Sequence, residues 1–250
     1  MRIAQISDTH ILPRSSDDAT GTRRAENLRR CIADINEQAV DAVIHTGDSV
    51  HGGEAEAYAH LGEILAGLEA PLFMVPGNRD RREALRGVFA HAARLPAKDE
   101  FLHYAVEDHP VRLVAIDSVA AGDRKGSFCA ARHAWLEETL AQAPDRPTLL
   151  FIHHPPFDIP ENHYVGGYRH PEQATDLTAL VGRHAQVKQL FCGHVHALHR
   201  APWAGTVATV MPSVAVDLRI GDGAPAEPSY LLHTVSPQGE VTSRTRIATG

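Results

Sequence analysis

The chain begins with a repeated pattern in which a short apolar run precedes a segment with helical spacing of apolar residues. Residues 2–7 (RIAQIS) and 42–46 (AVIHT) are typical of buried strands. Between them, residues 22–38 place Leu28, Ile32 and Ile35 on one face of a helix, so this region predicts a β-α-β unit. The same helical spacing predicts helices at 55–68, 80–92, 131–142 and 171–184. Further short apolar runs predict strands at 71–75, 101–106, 111–117, 148–152 and 187–192.

Three further strand patterns follow close together, at residues 205–211, 229–235 and 240–247. Helix and strand alternate first and strands cluster later, which predicts an α/β fold with mixed sheets, two of them packed together between helices. No Ser-, Gly- or Pro-rich linker and no block of charge divides the 250 residues. We therefore expect a single domain over residues 1–250.

The composition, 43% apolar and 22% charged, excludes disordered and fibrous proteins. The net charge of −7 argues against a partner that is a nucleic-acid polymer, and it also fits carboxylates that hold cations. Three cysteines without a CxxC pair indicate a reducing compartment rather than a disulfide framework. Because no apolar run reaches roughly eighteen residues and no signal-peptide pattern is present, we expect a cytoplasmic protein without a membrane span.

Polar residues of a restricted kind follow five of the predicted strands. In α/β sheets the loops at the carboxyl ends of parallel strands share one edge, so these side chains are expected to converge. Taken singly, Asp8 is more typical of a helix or turn cap and Gly47-Asp48 of an ordinary turn, and a single His-x-His pair more often reflects coincidence than metal binding. Their joint placement favours one shared site, formed by Asp8 and His10, Asp48, Asn78, His153 with its neighbour His154, and His194 with His196.

Asp8-x-His10 and His194-x-His196 each separate two donor side chains by one residue. In an extended loop, residues two apart lie on the same side, so each pair is expected to hold one ion. Asp, Asn and His supply oxygen and nitrogen ligands suited to Mn, Fe or Zn. A carboxylate can also bridge two metals about 3.5–4 Å apart, and Asp48, beside Gly47, is the expected bridge.

The ordered set of Asp-x-His, Gly-Asp, Gly-Asn, His and Gly-His-Val-His resembles the signature of the calcineurin-like metallophosphoesterase superfamily. Further segments are similar to its class III branch of cyclic nucleotide phosphodiesterases and glycerophosphodiesterases. They are IDS (116–118), GSF (126–128), WLEETL (135–140), HHPPF (153–157), MPSVAVDL (211–218) and SYLLHTVSPQGEV (229–241). The resemblance implies a four-layer αββα sandwich of two mixed β-sheets flanked by helices.

The resemblance also implies two metal ions of the Mn, Fe or Zn type. One ion would be held by Asp8, His10, Asp48 and His196, and the second by Asp48, Asn78, His153 and His194. We prefer His153 to His154 because it comes first after the strand. A hydroxide bridging the ions would attack phosphorus in line with the leaving alkoxide, while the metals neutralise charge on the phosphoryl oxygens.

The activity implied is metal-dependent hydrolysis of a small phosphodiester, with a cyclic nucleotide as the preferred substrate. A glycerophosphodiesterase or a broad-specificity phosphatase is the alternative among enzymes. An alternative of another class is a non-catalytic interaction module with the same fold. Members of the branch often form oligomers, and the apolar strands late in this chain fit an interface, so we expect a homodimer.

Arg79 stands where the superfamily usually has a histidine that assists the leaving group. Arginine is essentially always charged, so it can hold a phosphate oxygen with two donors but is a poor acid. We expect Arg79 to contact the substrate phosphate; pairing with Asp80 or a surface carboxylate, and loss of catalysis, are the alternatives. The proton donor is then left open among His51, His154, His163 and His170, and catalytic roles are expected of Asp48, Asn78, Arg79 and His154.

The segment 158–173 (DIPENHYVGGYRHPEQ) is a second departure from the branch, which typically has a Gly-rich stretch with a Met-Asp pair after the His-Pro-Pro. Tyr164, Tyr168 and Arg169 can stack on a base or bind a polar head group; an ordinary ordered loop is the alternative. Substrate contacts are therefore expected from Asn78, Arg79, His154, Tyr168 and Arg169.

Overall fold

The computed structural model describes residues 1–16, 19–159, 167–217, 224–225 and 227–248. Within them the helices are α1 (Ala19–Glu37), α2 (Ala55–Leu65), α3 (Arg82–Phe89), α4 (Ala130–Ala141) and α5 (Pro171–Gly182). The first seven strands are β1 (Arg2–Ile6), β2 (Ala42–His45), β3 (Leu72–Met74), β4 (Tyr104–Val106), β5 (Arg112–Ile116), β6 (Thr148–Ile152) and β7 (Val187–Cys192). They are followed by β8 (His199–Trp203), β9 (Thr206–Val210), β10 (Val216–Asp217), β11 (Ala224–Pro225), β12 (Ser229–Val235) and β13 (Val241–Ile247). None of these helices is long and apolar enough to cross a membrane.

The strands form two mixed sheets and a small ribbon. The first sheet has the order β13-β12-β1-β2-β3. Strands β1, β2 and β3 are parallel, and β12 is antiparallel to both of its neighbours, β1 and β13. The second has the order β4-β5-β6-β7-β9-β8, with antiparallel strands β4 and β8 at its edges. Strands β10 and β11 pair with each other. The expected α/β class with two mixed sheets is confirmed.

Three apolar clusters separate four layers of secondary structure. The cluster between the sheets joins Ile3, Ile44 and Phe73 of the first sheet to Phe151 and Phe191 of the second. A second cluster packs the other face of the first sheet against α1, α2 and α3, and a third packs the second sheet against α4 and α5. Because each sheet is buried on both faces, its central strands are mostly apolar rather than alternating, with a few buried polar residues such as Gln5 and Gln189. The αββα order expected from the resemblance follows from these clusters.

Strand β8 is the main element that the hydrophobic pattern did not predict. It contains Pro202, which has no N–H to donate to a ladder, and its exposure alternates weakly. The strand nevertheless forms a hairpin with β9, in which Pro202 is opposite Val207. Proline is tolerated there because β8 is an edge strand, where one side of the backbone needs no partner.

The loops at the carboxyl ends of five parallel strands lie close together. These strands are β1, β2 and β3 of the first sheet and β6 and β7 of the second. Gly193 N donates to the carbonyl of His153 at 3.1 Å, which holds the ends of β6 and β7 together. Val214 N, which follows β9, donates to Ser7 O at 3.1 Å and ties the second sheet to the end of β1. Residues from five loops are therefore neighbours here although they are far apart in sequence.

Candidate metal centre

The first group of donor atoms is formed by Asp8, His10 and His196, all buried. His196 Nε2 lies 3.2 Å from Asp8 Oδ1 and 3.1 Å from His10 Nε2. The second oxygen of Asp8 is used differently, because Oδ2 accepts hydrogen bonds from Ser7 Oγ at 2.5 Å and from His194 N at 3.0 Å. Those bonds turn Oδ1 toward the two imidazoles. We call these three residues the first donor group.

A second donor group surrounds His153, and consists of His153, Asn78 and His194. His153 Nε2 lies 3.2 Å from both Asn78 Oδ1 and His194 Nδ1. The opposite nitrogen, His153 Nδ1, is 2.7 Å from the carbonyl of Thr46. A carbonyl only accepts, so Nδ1 carries the proton and the lone pair of Nε2 faces Asn78 and His194. Such outer hydrogen bonds fix the tautomer of a metal-binding histidine.

Asp48 lies between the two groups. Its Oδ1 is 3.5 Å from His153 Nε2, and its Oδ2 is 3.9 Å from His10 Nε2. The backbone N–H of Arg79 donates to Oδ1 at 2.7 Å and holds the carboxylate in this position. A side chain on Gly77 would overlap the backbone nitrogen and Oδ1 of Asp48. Glycine at this position therefore allows the loop after β3 to approach the loop after β2.

The electrostatics of the centre fit bound cations. Burial lowers the pKa of His10 well below its ordinary value and lowers the pKa of His194 to about 3, so both imidazoles are neutral and keep a lone pair. Burial and the neighbouring charge of Asp8 raise the pKa of Asp48. Carboxylates and neutral imidazoles that converge in a buried site are the donor set of Mn, Fe or Zn. A cation would also relieve the repulsion between Asp8 and Asp48.

The backbone conformation of the ligand loops differs from the extended one that the sequence suggested. The positive φ values are 53° at Asp8, 43° at His10, 52° at Asp48, 74° at His194 and 56° at His196. Such conformations cost a non-glycine residue about 1–3 kcal/mol each and cluster at functional sites. Hydrogen bonds hold them, for example from Asp8 N to Gly47 O and from His10 N to Asp48 O.

The prediction that each Asp-x-His or His-x-His pair holds one ion from an extended loop was therefore wrong about the backbone conformation. Asp8 and His10 do share the first donor group, but through left-handed residues rather than through an extended strand. His194 and His196 face different groups, because His194 contacts His153 whereas His196 contacts Asp8 and His10. This division matches the two ligand sets that the family resemblance implies.

Two buried residues that the sequence reading missed hold the ligand loops. His45, at the end of β2, accepts from Gly47 N at 3.2 Å through Nδ1, so its Nε2–H points to Thr9 Oγ1 at 3.1 Å. Ser213 Oγ donates to Asp8 O at 2.7 Å. A histidine inside the apolar run AVIHT was the available signal for His45, and the branch-like segment MPSVAVDL (211–218) was the available signal for Ser213.

Asp80 is buried and connects two of the ligand loops. Its carboxylate accepts from Ser49 N at 3.0 Å and from Gly77 N at 2.9 Å, and Tyr58 donates to it at 3.3 Å. The alternative in which Asp80 pairs with Arg79 is not found among the described residues. The guanidinium of Arg79 has no ion pair or hydrogen bond there, and Arg79 is half-buried.

The predicted residues outside the two groups have mixed outcomes. Tyr168 is 2% exposed and packs in the cluster of the second sheet, where it also lines a cavity of about 470 Å³, so its contact with a substrate stays a prediction. The guanidinium of Arg169 lies 3.9 Å from Asp123, and a substrate contact from it stays a prediction. His170 is exposed beside Glu172. His163, Tyr164 and Gly166 lie outside the described residues.

His154 is fully buried, and both of its ring nitrogens have partners. Nδ1 lies 2.8 Å from Ser118 Oγ, and Nε2 lies 3.1 Å from the carbonyl of Arg124. A histidine held in this way has no nitrogen directed at a substrate. The expectation that His154 donates a proton or contacts substrate is therefore wrong for this arrangement, and His153 is the residue that faces the donor atoms.

A cavity of about 420 Å³ adjoins the second donor group. It extends from Asn78 past Arg81, Arg82 and Arg86 to the small residues Ala120, Ala121 and Gly122. Arg82 is already neutralised by Asp117, with Nε–Oδ2 at 2.5 Å, and Arg86 donates to the carbonyl of Pro96. The cavity is large enough for the organic part of a small ester and opens directly at a predicted metal ligand.

Comparison with known proteins agrees with this geometry. The family model for calcineurin-like phosphoesterases matches residues 1–198. A probable glycerophosphodiester phosphodiesterase, GpdQ, of Arcobacter nitrofigilis is 33% identical over 98% of this chain and 92% of its own length. A probable cyclic nucleotide phosphodiesterase of Rhodopseudomonas palustris is 37% identical over 82% of this chain and 75% of its own length.

A solved structure shares the fold at much lower sequence identity. The dimetal phosphatase of Danio rerio superposes with a TM-score of 0.73 at 14% identity, and covers 100% of this chain and 99% of that one. The family-model match and the two relatives carry the assignment, and the superposition supports the fold. The chain therefore belongs to the calcineurin-like phosphoesterase family, in the branch whose relatives are named phosphodiesterases.

Proposed function

We propose that two metal ions occupy the two donor groups and that the protein uses them to hydrolyse a small phosphodiester. The observation that carries the proposal is the position of Asp48, which directs one carboxylate oxygen toward each group. In this assignment Asp8, His10, Asp48 and His196 hold one ion. Asp48, Asn78, His153 and His194 hold the other. Mn, Fe and Zn all suit these oxygen and nitrogen donors.

Ions bound there supply Lewis-acid stabilisation of phosphoryl charge and lower the pKa of water toward neutrality. The chain's own contribution is to fix the ligand loops rigidly and to place Arg79 beside them. The guanidinium of Arg79 offers paired donors to a phosphate oxygen, which suits a dianionic transition state better than a neutral donor would. Asn78 holds its amide oxygen toward His153, so its amide N–H₂ is available to the substrate.

His51 is the described histidine best situated to protonate the leaving alkoxide. Its ring lies 5.7 Å from that of His10, at the edge of the centre. Its Nδ1 is buried and makes no hydrogen bond to a described residue. His154 is excluded by its two hydrogen bonds, and His170 is paired with Glu172 on the surface. We assign the proton donor to His51 on this geometry.

The substrate we favour is a cyclic nucleotide, and a glycerophosphodiester is the second candidate. Both are alkyl diesters with one negative charge, and the relatives divide between the two activities. The cavity next to Asn78 can accept a base or a glycerol group, since the small residues Ala120, Ala121 and Gly122 are among those that line it. A metal-dependent diesterase acting on either substrate agrees with the donor groups.

The test compares an aryl ester with two alkyl esters. Protein loaded with Mn²⁺ is assayed on bis(p-nitrophenyl) phosphate, on 3′,5′-cyclic AMP and on glycerophosphoethanolamine, with a chelated sample as the control. We expect metal-dependent hydrolysis of the aryl ester and of at least one alkyl ester. Hydrolysis of the aryl ester alone would exclude both proposed substrates. No metal-dependent hydrolysis of any of the three would contradict the enzymatic function and favour the interaction module.

A further inference from the structure

Ser118, Gly126 and Gly167 belong to three loops that meet around the buried ring of His154. Ser118 ends the IDS segment, Gly126 begins the GSF segment, and Gly167 precedes the tyrosine of the GGYR segment. None of these segments supplies a residue to either donor group. Their shared neighbour, His154, is 0% exposed and follows the ligand His153 directly.

The hydrogen bonds of His154 determine its tautomer. The carbonyl of Arg124 can only accept, so His154 Nε2 carries the proton and donates to it at 3.1 Å. His154 Nδ1 is then the acceptor, and Ser118 Oγ–H donates to it at 2.8 Å. The same hydroxyl oxygen accepts from the backbone N–H of His154 at 3.3 Å. Ser118 therefore fixes both the ring and the backbone of His154.

Gly126 closes one side of the ring. A Cβ atom at this position would lie 2.9 Å from Cβ and Cγ of His154, closer than carbon atoms approach. Gly126 is itself held on both sides, because its N–H donates to Gly167 O at 2.7 Å and its carbonyl accepts from Arg169 N at 2.8 Å. Tyr168 OH donates to the carbonyl of His154 at 3.2 Å. Gly126 and Tyr168 therefore pack closely against His154, and the hydrogen bond from Ser118 fixes the orientation of its ring.

The other side of the ring contacts the second donor group. The centroid of His154 lies 4.6 Å from that of His194, at an interplanar angle of 50°, and 4.7 Å from that of His153, at 86°. His153 is already oriented by Thr46 through its Nδ1. The ring of His154 therefore forms a wall that limits the tilt of His194 and keeps its Nδ1 directed at His153 Nε2.

We propose that His154 is a positioning residue: locked by Ser118, it orients His194 and His153 and so sets the affinity of the second donor group for its ion. One of its nitrogens lies within 4.8 Å of ligand atoms of His153 and His194, but both nitrogens are engaged by Ser118 and Arg124, so we assign it no ion. The proposal rests on the two-ion site of the proposed function. It predicts that changes at Ser118 act on the second donor group and leave the first, where Asp8, His10 and His196 lie, largely unaffected.

The experiment measures Mn²⁺ binding to metal-free protein by titration calorimetry, with electron paramagnetic resonance to detect coupled ion pairs. Ser118→Ala removes the hydroxyl and frees the ring. We expect one of the two dissociation constants, that of the ion in the second donor group, to rise by at least about tenfold, the lower end of the effect of losing a hydrogen-bonded partner of a metal ligand, because Ser118 acts through His154. The other dissociation constant is expected to change by less than about threefold, and the coupled signal should disappear at stoichiometric Mn²⁺.

The matched control is Ser127→Ala. Ser127 lies next to Gly126 in the GSF segment, but its hydroxyl donates to Gln173 Oε1 at 3.1 Å and does not contact His154. The Ser127→Ala variant should bind both ions as the wild type does. Thermal unfolding of the metal-free variants checks the fold. If Ser118→Ala does not fold, His154→Phe takes its place. Phenylalanine keeps a ring against His194 but has no nitrogen for the hydrogen bonds to Ser118 and Arg124. This variant should therefore show the same weaker binding of one ion.

The possible contrary results are distinct. Equal weakening of both ions, or no weakening, would overturn the positioning role while leaving the two-ion site intact. Tighter binding of the second ion in Ser118→Ala would also overturn it, because a released His154 would then be acting as a ligand. A wild-type protein that binds no Mn²⁺ would overturn the proposed function together with this inference.

Discussion

The backbone N–H of Arg79 donates a 2.7 Å hydrogen bond to Asp48 Oδ1, whereas the guanidinium of Arg79 contacts no carboxylate of the described chain. The two ends of one residue thus have separate roles. The main chain fixes the carboxylate that faces both donor groups, and the side chain supplies a positive charge at the edge of the centre. A side-chain substitution removes the second role and keeps the first.

Arg79→Ala should lower kcat/KM for bis(p-nitrophenyl) phosphate by more than about tenfold, because a charged donor to the phosphoryl oxygens is lost. The Arg79→Lys variant keeps the charge but not the paired donors. Its kcat/KM should lie between those of the wild type and the alanine variant. Mn²⁺ affinity should remain unchanged, since the N–H to Asp48 is retained. An unchanged kcat/KM in the alanine variant would rule out a phosphate contact.

His51→Gln should impair hydrolysis of an alkyl diester far more than that of an aryl diester. An alkoxide needs a proton to leave, whereas p-nitrophenolate does not, so general-acid catalysis contributes about 10²–10⁴-fold for the first substrate only. The ratio of kcat values on 3′,5′-cyclic AMP and bis(p-nitrophenyl) phosphate measures this. His170→Gln, a surface histidine, is the control. Equal losses on both substrates would show that His51 is not the acid.

Asp48→Asn should make the metal-free protein more stable and abolish its stabilisation by metal. Burial and the charge of Asp8 raise the pKa of Asp48 in the folded state. A carboxyl group whose folded pKa is raised destabilises the fold increasingly as pH rises above its unfolded value of about 3.9. At pH 8 the variant should therefore unfold at a higher temperature, by about 2–4 °C for each kcal/mol relieved.

Added Mn²⁺ should reverse the order of stabilities, because an ion that binds only the folded state stabilises it. Wild type should gain several degrees from saturating Mn²⁺, and Asp48→Asn should gain little. Differential scanning calorimetry with and without a chelator measures both effects. A metal-free variant that melts below the wild type at pH 8 would contradict the repulsion between Asp8 and Asp48.

Asp34→Asn should destabilise the fold in a pH-dependent manner. Asp34 on α1 accepts from Arg246 Nε at 2.9 Å, from Arg246 Nη2 at 2.6 Å and from Tyr230 OH at 2.5 Å, which ties the helix to β12 and β13. The hydrogen bond from Arg246, set against the opposing effect of burial, lowers the pKa of Asp34. Losing charge-assisted bonds at this buried position should cost about 1–3 kcal/mol at pH 7.

The sign of the pH dependence follows from the lowered pKa. The stabilisation by Asp34 is fully present above the unfolded value of about 3.9 and is lost as pH falls through the folded pKa. Urea denaturation at pH 7 and at pH 3 should thus show a smaller difference between variant and wild type at the lower pH. Asp145→Asn, an exposed carboxylate, is the control and should match the wild type at both values. A constant difference would show that the effect is not ionic.

The class of fold and the set of converging donor residues could be predicted from the sequence alone. Periodicity identifies helices and strands, and parallel strands bring their carboxyl ends to one edge whatever the details of the loops. Asp8, Asp48, Asn78, His153 and His194 could therefore be assembled from their positions after strands. Strand β8, which the hydrophobic pattern does not predict, carries a proline that its edge position tolerates, and edge positions are not encoded locally.

The contacts of each side chain depend on loops that are distant in the sequence. His194 and His196 look equivalent in local sequence, and only the family resemblance assigned them to different ions; in the structure both have left-handed backbone and they lie in different donor groups. His154 and Tyr168 looked available for substrate and are buried. Which nitrogen of a histidine carries its proton, and whether a ring has room to move, depend on partners from distant loops, and no local pattern specifies those contacts.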